Sequence, residues 1–573
     1  MHLKPIYTET NDCKDCYKCI RECPTKAIKV SDDRASVIDS LCIYCGHCVA
    51  ICPTGAKKVR DGISRAKQLI KGKKEVYVSL APSYVAEYGC DSPGPILEAI
   101  NKLGFTGTSE TALGAQEVSK QVGNYLNIRQ SGAYISSACP VVVELIRKYY
   151  PQHSMAITPY MSPMLTHARM LKQWYGNEIG VVFIGPCIAK KSEADASDLV
   201  DVSLTFKELN DWLKSENISI SNTQTSNKHS FKPFQAREGV IYPLDGGMVE
   251  TIKQEKNSGD STFMSFTGQN MVRNVLDNLD TLGKDAPLFL ELMACETGCL
   301  NGPGMSNTHD IAGKHLNIRT NYATCQNASC QQKKTEQVFN IERDFFYINT
   351  VEEKQYTAEE IKEALHSIGK NNVSDELNCS GCGYDTCRDF AKALLSGKAE
   401  TAMCVSYMRM VAHHKATILL QKIPSGVVII DDQHKVVEMN ASFAKLMGTE
   451  TELCYEANPG MRGADLNKLG SFSKLFKTAL LTGKEYYDLP VMENDKNLQL
   501  SIFNIQKHKL VTGIIQSAQQ PEFRKDIVER RTREVIKKNM ETVQKIAFLL
   551  GENASFTDSL LNSILDAQNQ ENA

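Results

Sequence analysis

No apolar run in this chain approaches the roughly 18 residues needed to cross a bilayer, which excludes a membrane-spanning helix on sequence grounds. Charge of one sign is missing too. Lysine and arginine number 65 and aspartate and glutamate 67; the net charge of −2 gives no electrostatic grip on nucleic acid or an anionic membrane surface. The opening Met1-His2-Leu3-Lys4-Pro5 lacks the apolar core of a secretory leader and no twin-arginine leader is seen, so a cytoplasmic, reducing location is expected. No kinase, cyclase or DNA-binding element follows the last structured segment, so any signal has to leave through a partner. The remainder is ordinary for globular protein. Hydrophobic residues make up 42% and charged residues 23% of 573 positions, enough for several domains of about 150 residues each.

Cysteine is the abundance, with twenty in the chain. Disulfides would need an oxidising compartment, and most of these cysteines fall in CxxC-type clusters, which point to metal. Cys13, Cys16, Cys19 and Cys23 read C-x2-C-x2-C-x3-C before Pro24; Cys42, Cys45, Cys48 and Cys52 repeat the run before Pro53. Two such runs are the bacterial two-cluster ferredoxin pattern, in which the fourth cysteine ligates the other cluster. The expected [4Fe-4S] sets are Cys13, Cys16, Cys19 with Cys52, and Cys42, Cys45, Cys48 with Cys23. Soft, anionic thiolates suit iron. Zinc, the alternative, ordinarily takes paired knuckles rather than two interleaved sets of four. A two-cluster ferredoxin-like domain over 1–70 is expected to carry electrons and do no bond chemistry.

From 75 to 349, strand-like and helix-like segments alternate, which predicts α/β layering. Segments 76–80, 179–184 and 288–293 read as strands and 141–150 as a helix. Ser, Asn and Thr crowd 215–230, which reads as a surface loop. Three cysteine motifs follow apolar segments: Ser137-Ala138-Cys139-Pro140; Gly185-Pro186-Cys187-Ile188-Ala189-Lys190-Lys191-Ser192-Glu193; and Met293-Ala294-Cys295-Glu296-Thr297-Gly298-Cys299. A lone cysteine of this kind is ordinarily a structural thiol. Four in three flanked motifs are placed to ligate one cube.

Over 75–349 these motifs resemble the signatures of [FeFe] hydrogenases. The resemblance implies an H-cluster: a [4Fe-4S] cube on Cys139, Cys187, Cys295 and Cys299. Cys299 would bridge the cube to a di-iron unit carrying CO, CN and a bridging dithiolate, inserted by maturation proteins. Lys190 resembles the residue that donates to a cyanide, and Glu193 its acidic partner. Ala81-Pro82-Ser83 resembles a turn beside the di-iron unit, so Pro82 and Ser83 are expected at the cofactor. Gly246-Gly247-Met248 resembles a glycine turn nearby, and Met293 a methionine packed on the di-iron unit. H2 and a redox partner such as ferredoxin are implied.

The departures carry as much information. Hydrogen-turning members have a proton-relaying cysteine where this chain has Ala138 and, at a position expected to face the cofactor, a methionine where it has Gly185. The relay glutamates expected within 114–126 appear as Lys120, Gln121 and Asn124. Losing a general acid/base costs about two to four decades in rate, so slow turnover is expected.

Cys379, Cys382 and Cys387, with Cys404 downstream, resemble a small [4Fe-4S] module over 355–410, with zinc as the alternative. Cys90, Cys325, Cys330 and Cys454 complete no ligand set and read as structural thiols. Strand 427–430, a turn at 431–434, strand 435–439, a helix 441–447 capped by Asn440 and later strands resemble a PAS (α+β) domain over 421–516. His413, His414 and His434 read as solvated rather than haem-binding. The charged segment 522–573 is expected to form helices: Ile536, Met540, Val543, Ala547 and Leu550 make a seam ended by Gly551, and Ser555 opens a second helix. Such a face suits homodimerisation or docking of a signalling kinase or phosphatase, or else folds back on the PAS domain. The fold class expected is therefore multidomain α/β, and the function a sensory [FeFe] hydrogenase. The alternatives are a catalytic ferredoxin-linked hydrogenase and a non-enzymatic iron–sulfur scaffold.

Overall fold

The computed structural model describes residues 4–89, 92–220, 230–254, 261–306, 310–327, 338–345, 350–352, 354–517 and 536. The chain divides into two units, Met1–Glu400 and Thr401–Ala573. The first opens with two small antiparallel pairs, β1 (Ile6–Thr8) with β4 (Lys57–Val59) and β2 (Ile28–Ser31) with β3 (Arg34–Val37). Each cysteine run wraps a one-turn helix, Lys18–Arg21 or His47–Ala50, entered through a left-handed residue, Tyr17 or Gly46. Gly46 requires its missing side chain: a Cβ there would lie 2.6 Å from the Ile188 and Pro303 side chains. The ferredoxin-like module is thus pressed onto the segment beside Cys187.

Two parallel sheets follow. One holds β5 (Val76–Leu80), β6 (Gly107–Glu110), β8 (Gly180–Gly185) and β9 (Val202–Thr205) in the order β6-β5-β8-β9. The other holds β7 (Gly132–Ile135), β10 (Thr262–Thr267) and β11 (Pro287–Met293) in the order β10-β11-β7. Helices cover parallel sheets on both faces, so their strands read as unbroken apolar runs. β5, β8 and β11 are buried at every position, as 76–80, 179–184 and 288–293 predicted. The helix expected at 141–150 is Pro140–Tyr149, opened by a proline whose missing N–H costs nothing in a first turn.

The small cysteine module packs on the ferredoxin-like one. Gly383 has φ +93°, and a Cβ there would stand 2.9 Å from Ile20 Cγ2. The Val30 N–H donates to Lys398 O at 3.0 Å.

The second unit begins with the helix Val405–Lys422, which runs through the place where a 355–410 domain would end. It leads into a five-stranded antiparallel sheet made of β12 (Gly426–Asp431), β13 (Val436–Met439), β14 (Tyr486–Glu493), β15 (Lys496–Gln506) and β16 (Leu510–Ser517), ordered β13-β12-β16-β15-β14. Asn440 caps the helix Ala441–Met447 as expected, accepting from Phe443 N–H at 2.9 Å. Phe443 and Phe476 pack with Val428, Leu500 and Ile515 in its core. Most of the 215–230 loop, the two C-terminal helices, Cys90 and Cys330 lie outside the described residues. No helix among the described residues is long and apolar enough to cross a membrane.

Candidate metal-cluster site

The motifs meet at the carboxyl ends of parallel strands, where open α/β sheets bind their ligands. Cys139 follows β7, Cys187 follows β8, and Cys295 and Cys299 follow β11. All four line a cavity of about 120 Å³ together with Ala138, Lys190, Met293, Pro82 and Ser83. Burial pushes the Cys187 thiol up to about 11 and the Cys299 thiol up to about 12, and the facing Cys139 adds to both. Cys295 is raised well above the ordinary range by burial and by Cys187, Cys299 and Cys139. Thiols held this way become thiolates alongside a compensating cation, so loading with metal releases protons. Among the described residues, no three His, Cys, Asp or Glu side chains close round a single ion. Ser83 Oγ at the cavity wall is buried with no protein partner. The donor set, the space and this orphaned hydroxyl fit an anionic iron–sulfur group.

Lys190 Nζ is the cavity's cation. It lies 2.7 Å from Glu193 Oε2, 3.0 Å from Ser162 Oγ and 3.3 Å from the Ala138 carbonyl. Glu193 is also 3.6 Å from Arg343, so it anchors Lys190 from behind rather than lining the cavity. Ala138 presents a methyl group to the cavity, with no exchangeable proton.

Three residues expected at the cofactor, Gly185, Gly246 and Gly247, are not among those that line this cavity. A Cβ on Gly185 would stand 2.6 Å from the Phe183 ring and 2.9 Å from Ala81 Cβ, so this glycine serves the packing under the Ala81 turn. Gly246 and Gly247 do not line the cavity either. Gly246 donates its N–H to Ser265, and Gly247 is pressed against the Ile241 carbonyl. The next residue, Met248, reaches the wall, its sulfur accepting from Ser136 Oγ at 3.0 Å. Lys120, Gln121 and Asn124 also lie off the cavity; the helix Ala112–Asn127 offers it Ala115, and its N-cap offers Thr111.

Sequence reasoning missed Glu291 and Tyr242. Glu291 lines the cavity from β11 and accepts the N–H groups of Met248 and Val249, both at 3.1 Å. Burial nonetheless pushes its carboxyl up to about 8. The signal was a lone acid inside the apolar run 288–293. Tyr242 shares a 2.6 Å hydrogen bond with Ser119 behind the wall.

The cysteine charges that act on the ferredoxin-like cysteines come from the neighbours the proposed sets would give them. Cys19 is surrounded by Cys16, Cys13 and Cys52; Cys42 and Cys48 face Cys45 and Cys23. Cys45 and Cys295 feel each other's charge, and Tyr384 feels both Cys382 and Cys23. Cys379, Cys382 and Cys387 belong to the first unit, whereas Cys404 is the N-cap of Val405–Lys422 in the second. Cys325 is buried beside Gln235, Cys454 and His414 are exposed, and His434 sits in a turn with φ 60°.

Residues 74–303 match the family described as the C-terminal domain of the iron-only hydrogenase large subunit. Residues 5–53 match a 4Fe-4S dicluster domain, and 375–406 a putative Fe-S cluster. Iron hydrogenase 1 of Clostridium pasteurianum is 24% identical over 292 residues, 41% of this chain and 51% of that protein. A cytosolic Fe-S cluster assembly factor NAR1 homolog of Schizosaccharomyces japonicus is 24% identical over 250 residues, 30% of this chain and 48% of that protein. A solved variant of the Chlamydomonas reinhardtii [FeFe]-hydrogenase is 18% identical and covers 48% of this chain and 91% of its own, with a TM-score of 0.38. The chain spans about half the length of the first two relatives. Its first 303 residues are thus similar to a 4Fe-4S dicluster domain followed by the C-terminal domain of the iron-only hydrogenase large subunit.

Proposed function

We propose that this chain binds and slowly, reversibly oxidises hydrogen at an H-cluster, and reports redox state through a PAS-type second unit to a partner kinase or phosphatase. The cavity carries the first half: four convergent thiols walled by a buried, anchored Lys190. When bound, the di-iron unit supplies the heterolytic cleavage of H2. Lys190 fixes a compact positive charge at the wall, and the carboxyl of Glu193 holds its Nζ in place. Ala138 gives the wall no proton donor, which supports slow turnover.

The sheet order of the second unit and its Asn440-capped helix support the PAS reading. Cys404 supports the signalling half. It is the proposed fourth ligand of the small cluster and the cap of a helix that ends just before β12. Dimerisation through 522–573 belongs to the same proposal.

The likeness to a cluster assembly factor favours a second reading, a scaffold carrying only cubes. Infrared spectra of the anaerobically matured chain under hydrogen and inert gas separate the two. Carbonyl and cyanide bands that shift with hydrogen are expected. Their absence after verified maturation rejects hydrogen chemistry and leaves the scaffold.

A further inference from the structure

The first unit holds a second, larger concavity of about 940 Å³, bounded by the ferredoxin-like module, the α/β domain and the small cysteine module. Four buried polar atoms of its lining residues have no partner: Arg273 Nε, Tyr356 OH, Tyr384 OH and Asp39 Oδ1. Buried polar atoms are ordinarily hydrogen-bonded, so a cluster of orphans in one groove calls for a ligand. Tyr384 is the strongest of them. It is 5% exposed, and its ring packs 5.8 Å from Phe390, so the hydroxyl is not free to swing into bulk water.

The charge points the same way. Seven basic side chains and four carboxylates line the groove, on a chain whose net charge is −2. Lys4 is paired with Asp39 at 2.9 Å and Lys392 with Asp389 at 3.7 Å. Lys29, Lys354 and Lys398 line the same groove and form no ion pair among the described residues. Neutral water would satisfy the hydroxyls and leave this surplus uncompensated. Surface carboxylates of a folded partner would not reach a hydroxyl as deep as that of Tyr384. An acceptor-rich anion small enough to enter meets both demands, and the volume lies in the range of small-molecule sites, which favour domain junctions. The free Asp39 oxygen is an acceptor for a hydroxyl or amino group on the ligand's body.

We propose that this junction groove binds a phosphate-bearing small molecule of nucleotide size, and that its charge tunes the adjacent cluster. Pro24 and Thr25, next after Cys23, line the groove, and Arg273 Nη2 donates to Pro24 O at 2.8 Å. Negative charge placed here makes the cluster on Cys23 harder to reduce. The site requires the ferredoxin-like clusters and is independent of hydrogen chemistry.

The test is calorimetry on the cluster-reconstituted full chain, with ADP, pyrophosphate and inorganic phosphate as separate probes. The wild type is compared with Tyr384→Phe and with a Lys29→Gln/Lys398→Gln double variant, cluster content being checked in each. Saturable ADP binding is expected, weakened about tenfold by either variant. One ferredoxin-type signal in an electron paramagnetic resonance redox titration should move to lower potential with ADP. Pyrophosphate binding comparable to ADP also supports the proposal, placing recognition in the phosphates. No saturable binding of any probe up to millimolar concentration overturns it. So does ADP binding unchanged in both variants, or binding of an acidic carrier protein alone, which would make the groove a docking surface.

Discussion

Ala138 offers the cavity wall a side chain with no exchangeable proton. Its backbone carbonyl accepts from Lys190 while its methyl faces the space where a relay thiol would stand. Ala138→Cys restores a proton-transferring group and should raise hydrogen–deuterium exchange by the matured chain about tenfold or more, part of the two to four decades such groups contribute. An unchanged rate would place the proton exit elsewhere on the wall. Lys190→Met should do the reverse. It strands Glu193 beside Arg343 alone, at a cost of about 3 to 5 kcal/mol for a broken buried pair, and should abolish the carbonyl and cyanide bands even where the four cubes load. Buried acids mark a limit of reading residues one at a time. The cysteines announced themselves by spacing, whereas Glu110, at the end of β6, and Glu291, within β11, look like ordinary acids until burial is known. Burial pushes Glu110 up to about 8, with one oxygen accepting from Ala236 N–H and the other unpartnered. The folded chain therefore holds a proton that an unfolded glutamate releases near pH 4.5, and this site's contribution to stability falls as pH rises from there towards 8. The slope is about 1.4 kcal/mol per pH unit. Glu110→Gln should flatten that part of a melting-temperature profile across pH 5 to 8; an unchanged slope would mean the carboxyl is ionised in the fold.

At the scale of elements, β5, β8 and β11 were legible because burial on both faces leaves largely apolar runs, whereas β6 is polar and β10 half-exposed and neither was read. Glycines were not legible either. Gly185, Gly246 and Gly247 were expected at a cofactor from the resemblance, yet Gly185 and Gly247 are packed against protein and Gly246 serves a turn at φ +75° with open space beside it. A glycine's neighbour in space is invisible in sequence. β14 and the helices Thr449–Ala457 and Ser473–Thr482 also escaped, being short, mostly half-exposed and set by tertiary packing more than by periodicity. Asn440 shows what one legible residue does for several elements. Its oxygen caps Ala441–Met447 and accepts from Val427 N–H at 2.8 Å. Its amide donates to the carbonyls of Leu420 and Ser425, both at 2.9 Å, tying the end of Val405–Lys422 to the start of β12. Asn440→Ala removes a cap and leaves buried carbonyls unpaired, a loss of roughly 2 to 4 kcal/mol. Chemical denaturation should show the second unit's transition at lower denaturant while cluster absorbance in the first unit holds. Loss of both together would mean the two units unfold as one.

At the largest scale, within the first unit, the order of the modules in sequence differs from their order in space. Along the chain the small cysteine module follows the hydrogenase domain, which suggests a line from the H-cluster site outward. In space the first unit is arranged differently. Cys45 of the inner ferredoxin set lies within electrostatic reach of Cys295, and Tyr384 lies within electrostatic reach of both Cys23 of the same set and Cys382. Gly383 seats the small module directly on the helix Lys18–Arg21, close enough that a methyl group would collide. On this placement the inner set is expected to be the junction of two arms, with the proposed outer set, Cys13, Cys16, Cys19 and Cys52, as a third. Removing an arm should spare traffic between the other two; removing the junction should stop it. Cys16→Ala should delete the outer cluster's signal while hydrogen still reduces the remaining ones in a freeze-quench electron paramagnetic resonance series. Cys45→Ala should leave the small cluster oxidised under hydrogen on the same timescale, although dithionite still reduces it. If Cys16→Ala blocks reduction of the small cluster as completely as Cys45→Ala does, electrons pass through the outer set and the junction assignment is wrong.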